Sequence, residues 1–597
     1  MDPALQELIT KGDPGDQVEA IMRLKDCTQS PPRHINEICG FGDIRTIRLA
    51  RRDILHVWSD PAVASLKAAK TIAVERPLGL SRFLASRNGP TQGSTAARRP
   101  SGLHETGRGI VVGVVDWGFD FAHPAFADEN NKSRILALWD QRDSKLPTHH
   151  TSPQPYGYGR VFTWSQINQA LKQQSPYEWL QYHPGDADHG RGAHGTHVAD
   201  IAAGSPRGNG AGGLAPDAQL VFVHLATDRL GGLSDLGNSV RIVEAIHFID
   251  SVAGDVPCVI NLSLGRHGGS KSGQSLVERA LDAFAQSRDN ACIVQSAGNY
   301  FLSDCHASGT LRPGGARNLE WKVKRGDVSE NELEIWYSNR DRFRVSLTSP
   351  DRQYSVAASL FETKIMRQHD GFEIARLYNR AFEPNTNCHN CNVFIRKGAP
   401  AGTWTVRIEG EQVVDGRFDS WIERDSGGRR KQSKFSSRDV DTTSTIGSIA
   451  SGFHSIVVGA AQLTNSRLIS ARFGSSGPTR DGRTKPDVAA PGVRVLAARS
   501  TFPEASEPLS MNTRMSGASQ AAPYVTGLAA LCLEAGRGNL DFQDVRKAII
   551  GTCERARNLK LEDILRLGAG MVNPYNAVEA ARIIGLSKAA TNQEDTL

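Results

Sequence analysis

The stretch Ser516-Gly517-Ala518-Ser519-Gln520-Ala521-Ala522-Pro523 holds one serine in a frame of small residues, directly ahead of a helical run over 520–533. Pro523 falls in the expected first turn, where a missing N–H costs least. The Ser519 hydroxyl then sits at a helix N-terminus, where free backbone N–H groups and the helix dipole favour developing negative charge. Serine is a weak nucleophile without a base beside it. Two other framed segments supply the missing partners: Ala193-His194-Gly195-Thr196-His197-Val198-Ala199 and Val114-Val115-Asp116-Trp117-Gly118. His194 opens a helix expected over 197–203 and is the candidate base. Asp116 ends an apolar strand over 110–115 and is placed to fix the imidazole tautomer. Asp, His and Ser are common residues singly; three framed segments together make an acyl-transfer triad.

The chain order Asp, His, Ser differs from the His-Asp-Ser of chymotrypsin-like enzymes and the Ser-Asp-His of α/β-hydrolases. With their frames, the three segments resemble the subtilisin (subtilase) family of serine endopeptidases. Ile260-Asn261-Leu262-Ser263-Leu264-Gly265 resembles that family's substrate-binding strand, and Ala297-Gly298-Asn299 its oxyanion segment. Segments around 477–492 and 568–573 resemble its scaffold. The resemblance implies that Asn299 donates to the oxyanion, and that Ser263, Leu264, Gly265, Ala297 and Gly298 line the substrate cleft. It also implies an N-terminal prodomain that assists folding and inhibits in cis. Shorter motifs over 134–141 and 158–168, with an insertion after Asn299, resemble the clostridial germination-protease branch. Three departures stand out: Ala518 replaces the threonine before the serine, Asp200 replaces a glycine after the histidine motif, and Ala125 replaces an aspartate that often ligates calcium in secreted members. The expected metal and cofactor set is therefore none.

A chain of 597 residues leaves room for three or four domains. Seventy basic residues against 64 acidic ones give a net charge of only +6, and no nucleic-acid motif accompanies them. No stretch reads as a secretory signal or a bilayer span. Nine scattered cysteines, an odd number, read as free thiols in a reducing compartment; the expected location is cytoplasmic, with no nucleic-acid or membrane partner.

The expected fold class is α/β. Residues 1–85 read as a small α+β unit, with strands over 17–24, 44–50 and 63–72 and helices over 32–39 and 53–58. Residues 86–109 are Arg-, Ser-, Gly- and Pro-rich and read as a flexible linker, with Arg98 and Arg99 as the processing site. Strands over 110–115, 219–224, 258–262 and 292–295 alternate with helices in 110–310, the pattern of a parallel sheet with helices on both faces. Residues 311–440 alternate in strand fashion and read as an inserted β-sandwich or jelly roll. The α/β pattern resumes over 441–586, and 587–597 read as a disordered tail.

The leading expectation is a serine endopeptidase working through an acyl-enzyme. It is made as a zymogen and cut in the linker by itself or by an activating protease. The alternatives are a regulatory or scaffold protein that keeps the protease fold, and a peptidase confined to short peptides. His197 reads as a packing histidine rather than a second base. Cys388-His389-Asn390-Cys391 reads as thiols rather than a zinc site for want of a second ligand pair. Asp186, Asp188 and His189 read as a loop near His194. The pocket for the residue before the scissile bond is expected among 263–265, 297–299 and the stretch near Gly309.

Overall fold

The computed structural model describes residues 1–10, 12–70, 99–142, 152–184, 192–209, 212–225, 238–327, 329–423, 432–464, 467–501, 510–555 and 559–594. The N-terminal unit holds α1 (Pro3–Thr10), β1 (Gln17–Leu24), β2 (Ile35–Phe41), β3 (Ile44–Ala50), α2 (Ile54–Trp58) and β4 (Val63–Ala68). Its strands form one sheet in the order β2-β3-β1-β4. The helix expected over 32–39 is instead strand β2. His34 takes a left-handed φ of 68°, which breaks a helix there, and Ile35 to Phe41 pairs antiparallel with β3. Pairing and burial override a sequence that Pro31-Pro32 had suggested as a helix start.

The central sheet is built from β5 (Val111–Asp116), β6 (Ile135–Asp140), β7 (Arg160–Thr163), β8 (Gln219–His224), β9 (Cys258–Leu262) and β10 (Ala291–Ser296). Strands β22 (Ile456–Thr464), β23 (Arg467–Ser470) and β24 (Val488–Pro491) complete it. The order is β23-β22-β10-β9-β5-β8-β6-β7, with β24 beside β22. Its interior is parallel, as expected, but both edges, β7 and β23, are antiparallel, so the sheet is mixed. Every residue of β5 is buried, and alternate side chains feed opposite faces. Val112 and Val114 pack with α5 (His194–Ala203) and α8 (Ala518–Ala535). Val111 and Val115 pack with α6 (Ser239–Ala253) and α7 (Leu276–Ser287). Helices α3 (Trp164–Ala170) and α4 (Pro176–Leu180) precede these, and α9 (Phe542–Gly551), α10 (Leu561–Leu567) and α11 (Pro574–Glu594) follow.

Between β10 and β22, the described residues form eleven strands in two antiparallel sheets. One contains β11 (His306–Thr310), β13 (Asn331–Tyr337), β16 (Thr363–Arg367), β17 (Glu373–Arg380), β18 (His389–Ile395) and β20 (Arg417–Ile422). The other contains β12 (Ala316–Val323), β14 (Arg342–Thr348), β15 (Ser355–Ala358), β19 (Gly402–Gln412) and β21 (Lys434–Phe435). Side chains from both sheets, among them Leu333, Ile335, Trp321 and Trp404, share one buried core. A separate hairpin, β25 (Val495–Ala498) with β26 (Asn512–Met515), leads into α8. Gly309, expected beside the substrate pocket, lies in β11 with its Cα face against Phe418.

Two segments are more ordered than their composition suggested. Of the linker, 86–98 including Arg98 lies outside the described residues, but 99–109 is docked. Thr106 N and Gly107 N donate to Glu534 at 2.7 and 2.5 Å, and Arg582 bonds Glu105 at 2.5 Å. The tail expected over 587–597 begins as helix, since α11 runs to Glu594, and Lys588 reaches Asp541 at 3.0 Å.

Candidate active site

Strand β5 delivers Asp116 to the carboxyl edge of the sheet, where ligands gather in folds of this kind. The His194 ring sits against it: Nδ1 lies 2.7 and 2.9 Å from the two carboxylate oxygens. A carboxylate only accepts, so Nδ1 carries the proton and Nε2 is left as the acceptor. Trp117 N donates to Asp116 Oδ1 at 2.8 Å, and the Trp117 ring stacks on the imidazole at 6.1 Å. The two segments are stitched together by backbone. Gly195 N donates to Trp117 O at 2.8 Å and Thr196 N to Gly118 O at 2.9 Å. Gly118 has a φ of +70°, and a side chain there would strike Pro184 O and Ala193. The glycine frames of both motifs are thus a requirement of close approach.

Ser519 lies in the first turn of α8 and is fully buried. Its Oγ is turned to Ser263 O at 3.4 Å, and among the described residues it makes no hydrogen bond to His194. Asn299 Oδ1 accepts from Ala518 N at 2.8 Å, which orients the side-chain Nδ2 as a donor on the other side. A Cβ on Gly517 would lie 3.4 Å from that nitrogen and 2.8 Å from Gln520 Oε1. Helix α8 starts at Ala518, two residues earlier than expected, so Pro523 falls in its second turn, inside the helix. Proline has no N–H, so the carbonyl four residues back, Ser519 O, loses its helical donor. Ser263 Oγ supplies one at 3.1 Å.

That serine belongs to a chain of hydrogen bonds which the sequence reading did not assign. Thr526 Oγ1 on α8 donates to Asn261 Oδ1 at 3.0 Å, and Asn261 Nδ2 to Ser263 Oγ at 3.0 Å. The available signal was a lone polar residue, Asn261, inside an otherwise apolar buried strand. Ser263, Leu264 and Gly265 follow β9, and Ala297, Gly298 and Asn299 follow its neighbour β10. Gly298 has a φ of +101°, and a Cβ there would lie 2.9 Å from Ser475 Oγ and from the Tyr300 ring.

His197 Nε2 lies 3.1 and 3.2 Å from Val495 O and Thr513 O; burial pushes its pKa down to about 3. It packs α5 against the β25–β26 hairpin. Asp200 Oδ2 accepts from Ala498 N at 2.7 Å on the same hairpin. Arg99 does not stand free for processing: its guanidinium donates to Leu214 O, Leu103 O and Glu105 O at 2.6–2.7 Å. Asp186, Asp188 and His189 lie outside the described residues. Among the described residues, no group of three or more His, Cys, Asp or Glu side chains converges on a metal position. In the 388–391 stretch, His389 Nδ1 accepts from Phe382 N at 3.0 Å and Cys391 is buried.

The sequence model of the subtilase family matches residues 107–324 and 426–570, more than half of the chain. Over 114 residues the chain is 35% identical to serine protease AprX of Bacillus subtilis (strain 168), covering 18% of this chain and 25% of that protein. Over 271 residues it is 25% identical to a PII-type proteinase of Lacticaseibacillus paracasei, covering 44% of this chain and 12% of the other. The matches span a quarter or less of the first curated relatives. Among solved structures, the CspB protease of Clostridium perfringens superposes with a TM-score of 0.67 at 24% identity, covering 81% of this chain and 96% of that one. At that identity the likeness is one of fold.

Proposed function

The chain belongs to the subtilase family of serine proteases, and on that premise we propose that it is an endopeptidase that cleaves peptide bonds through Asp116, His194 and Ser519. The observation that carries the reading is the two-oxygen contact of Asp116 with His194 Nδ1, which leaves Nε2 free to take a proton. Substrate binding along 263–265 would displace Ser519 Oγ from Ser263 O toward that nitrogen. Oγ then attacks the scissile carbonyl as His194 removes its proton. The developing oxyanion is met by Asn299 Nδ2 and by backbone N–H groups of the first turn of α8. His194 returns the proton to the leaving amine, and a water hydrolyses the ester by the same route.

The N-terminal unit is proposed to act as the prodomain, and the linker as the place of zymogen cleavage. Supporting this, its sheet rests on α6 and α7, with Ile21, Ile38, Phe41 and Ile44 packed among residues of those helices. The docked state of Arg99 favours a cut upstream of it. Nine unpaired cysteines suit a cytoplasmic location, and no helix among the described residues is long and apolar enough to cross a membrane.

A fluorophosphonate probe should label Ser519 in the processed protein and leave Ser519→Ala unlabelled. Lack of labelling in every processed form would overturn the reading. Intact mass of wild type against Ser519→Ala after incubation separates self-cleavage from cleavage by another protease.

A further inference from the structure

Both walls assigned to the substrate slot engage the inserted β-region, one by contact and the other by running on into β11. On one side, Gly265 is followed by Arg266 and His267. Glu423, which directly follows β20, takes hold of both: Oε2 accepts from Arg266 Nε at 2.9 Å and lies 2.6 Å from Nη2, while Oε1 accepts from His267 N at 3.2 Å. Glu334 on neighbouring β13 accepts from Gly269 N at 3.1 Å. A Cβ on Gly268 would lie 2.6 Å from Glu423 Oε2 and 3.3 Å from Glu334 Oε1, so the loop is pressed onto both carboxylates. On the other side, Asn299 is followed by Tyr300, which is buried in the core of the β-sandwich and makes a T-shaped contact with the His267 ring at a centroid distance of 4.3 Å. The two walls therefore meet through His267 and Tyr300, and Glu423 fixes the His267 side.

We propose that Glu423 is a positioning residue for substrate recognition: through Arg266 and His267 it holds the Ser263–Gly265 wall at its distance from the Ala297–Asn299 wall, so the inserted β-region sets the fit of the residue before the scissile bond. This rests on the protease reading above. Asp116, His194 and Ser519 sit on β5, α5 and α8, and Ser263, the one wall residue bonded to Ser519, is held from β9 by Asn261 Nδ2 at 3.0 Å. Loosening the wall beyond Ser263 should therefore spare the nucleophile and weaken the grip on substrate.

The test compares wild type, Glu423→Ala and Glu423→Gln, all processed in the same way. A quenched-fluorescence peptide library varied at the residue before the scissile bond reports recognition. A small alkyl fluorophosphonate, which has no side chain to place in the slot, reports the triad. Glu423→Ala should raise KM about tenfold and flatten the library preference, while the labelling rate of Ser519 stays within about twofold of wild type. Glu423→Gln keeps an acceptor for His267 N and should recover part of the preference. Unchanged KM and preference in both variants would overturn the proposal. So would a parallel fall of labelling and cleavage, the mark of a merely structural loss. If the wild type neither labels nor cleaves, the protease reading fails instead, and the two failures are told apart.

Discussion

His197 shows how one buried side chain can tie stability to pH beside a proposed triad built on a different histidine. Both carbonyls it faces need a donor at Nε2, so its Nδ1 is unprotonated and buried. The unfolded chain takes up a proton near 6.5, but the folded protein resists until about 3. The unfolded state therefore binds more protons in that window. Its contribution is full above pH 6.5 and is lost as pH falls, with a slope of up to about 1.4 kcal/mol per pH unit. Urea midpoints at pH 7, 6 and 5 should fall for wild type, and less steeply for His197→Gln, whose amide can still donate. Parallel slopes would remove His197 as the cause. Asn299 is the other single-residue test: Asn299→Ala should lower kcat by about 10²–10³ if its Nδ2 meets the oxyanion, with KM little changed. The residue types and spacing of Asp116, His194, Ser519 and Asn299 were legible in the chain. The 3.4 Å contact that holds Ser519 Oγ on Ser263 O was not, because the side-chain torsion of a serine leaves no mark on sequence.

At the scale of elements, α8 carries its own irregularity. Pro523 removes the donor for Ser519 O, and Ser263 replaces it from β9. Ser263→Ala should cost about 1–2 kcal/mol in chemical unfolding, since it orphans a buried carbonyl. In a Pro523→Ala background the restored N–H should take over, and the cost should fall by at least half. Equal costs in both backgrounds would refute the compensation. This coupling was invisible in the sequence because it joins residues 256 positions apart. Strand periodicity was clear where burial was two-sided, as in β8 and β9, whose limits match the apolar runs. It failed at β2, where a pairing partner and the left-handed His34 decide the conformation. It also failed for the C-terminal part of α11, where helix continues beyond the apolar pattern.

Across the whole molecule, the N-terminal sheet is held by a charge buried in the partner surface as well as by apolar contact. Arg48 on β3 faces Glu244 on α6 at 2.9 Å, and Tyr158 donates to the same carboxylate at 2.7 Å. The Glu244 side chain is 0% exposed, so removing its cation leaves an uncompensated charge. Arg48→Ala should destabilise the docked sheet by about 3 kcal/mol. Amides of β1–β4 should then exchange faster, while those of β5, β8 and β9 hold. Pairing Arg48→Met with Glu244→Gln should recover most of the loss, because neither charge then remains buried. Uniform exchange throughout the chain would argue against a separable docking surface. Lys70, at the end of the described N-terminal unit, also reaches Glu334 at 2.8 Å. The N-terminal unit and the loop after Gly265 thus share one carboxylate in the inserted region.

By itself the sequence determined the family and pointed to the chemistry we propose. A nucleophile, a base, an orienting acid and an oxyanion donor each need a local backbone frame, and such frames are written in consecutive residues. It also determined where the central strands run, because two-sided burial demands continuous apolar runs. Only the tertiary structure decided how the parts constrain one another: Ser263 serving the carbonyl that Pro523 orphans, Glu423 gripping Arg266 and His267, Arg48 answering Glu244. Those contacts join residues far apart in the chain, and their geometry exists only once the sheets and helices have packed.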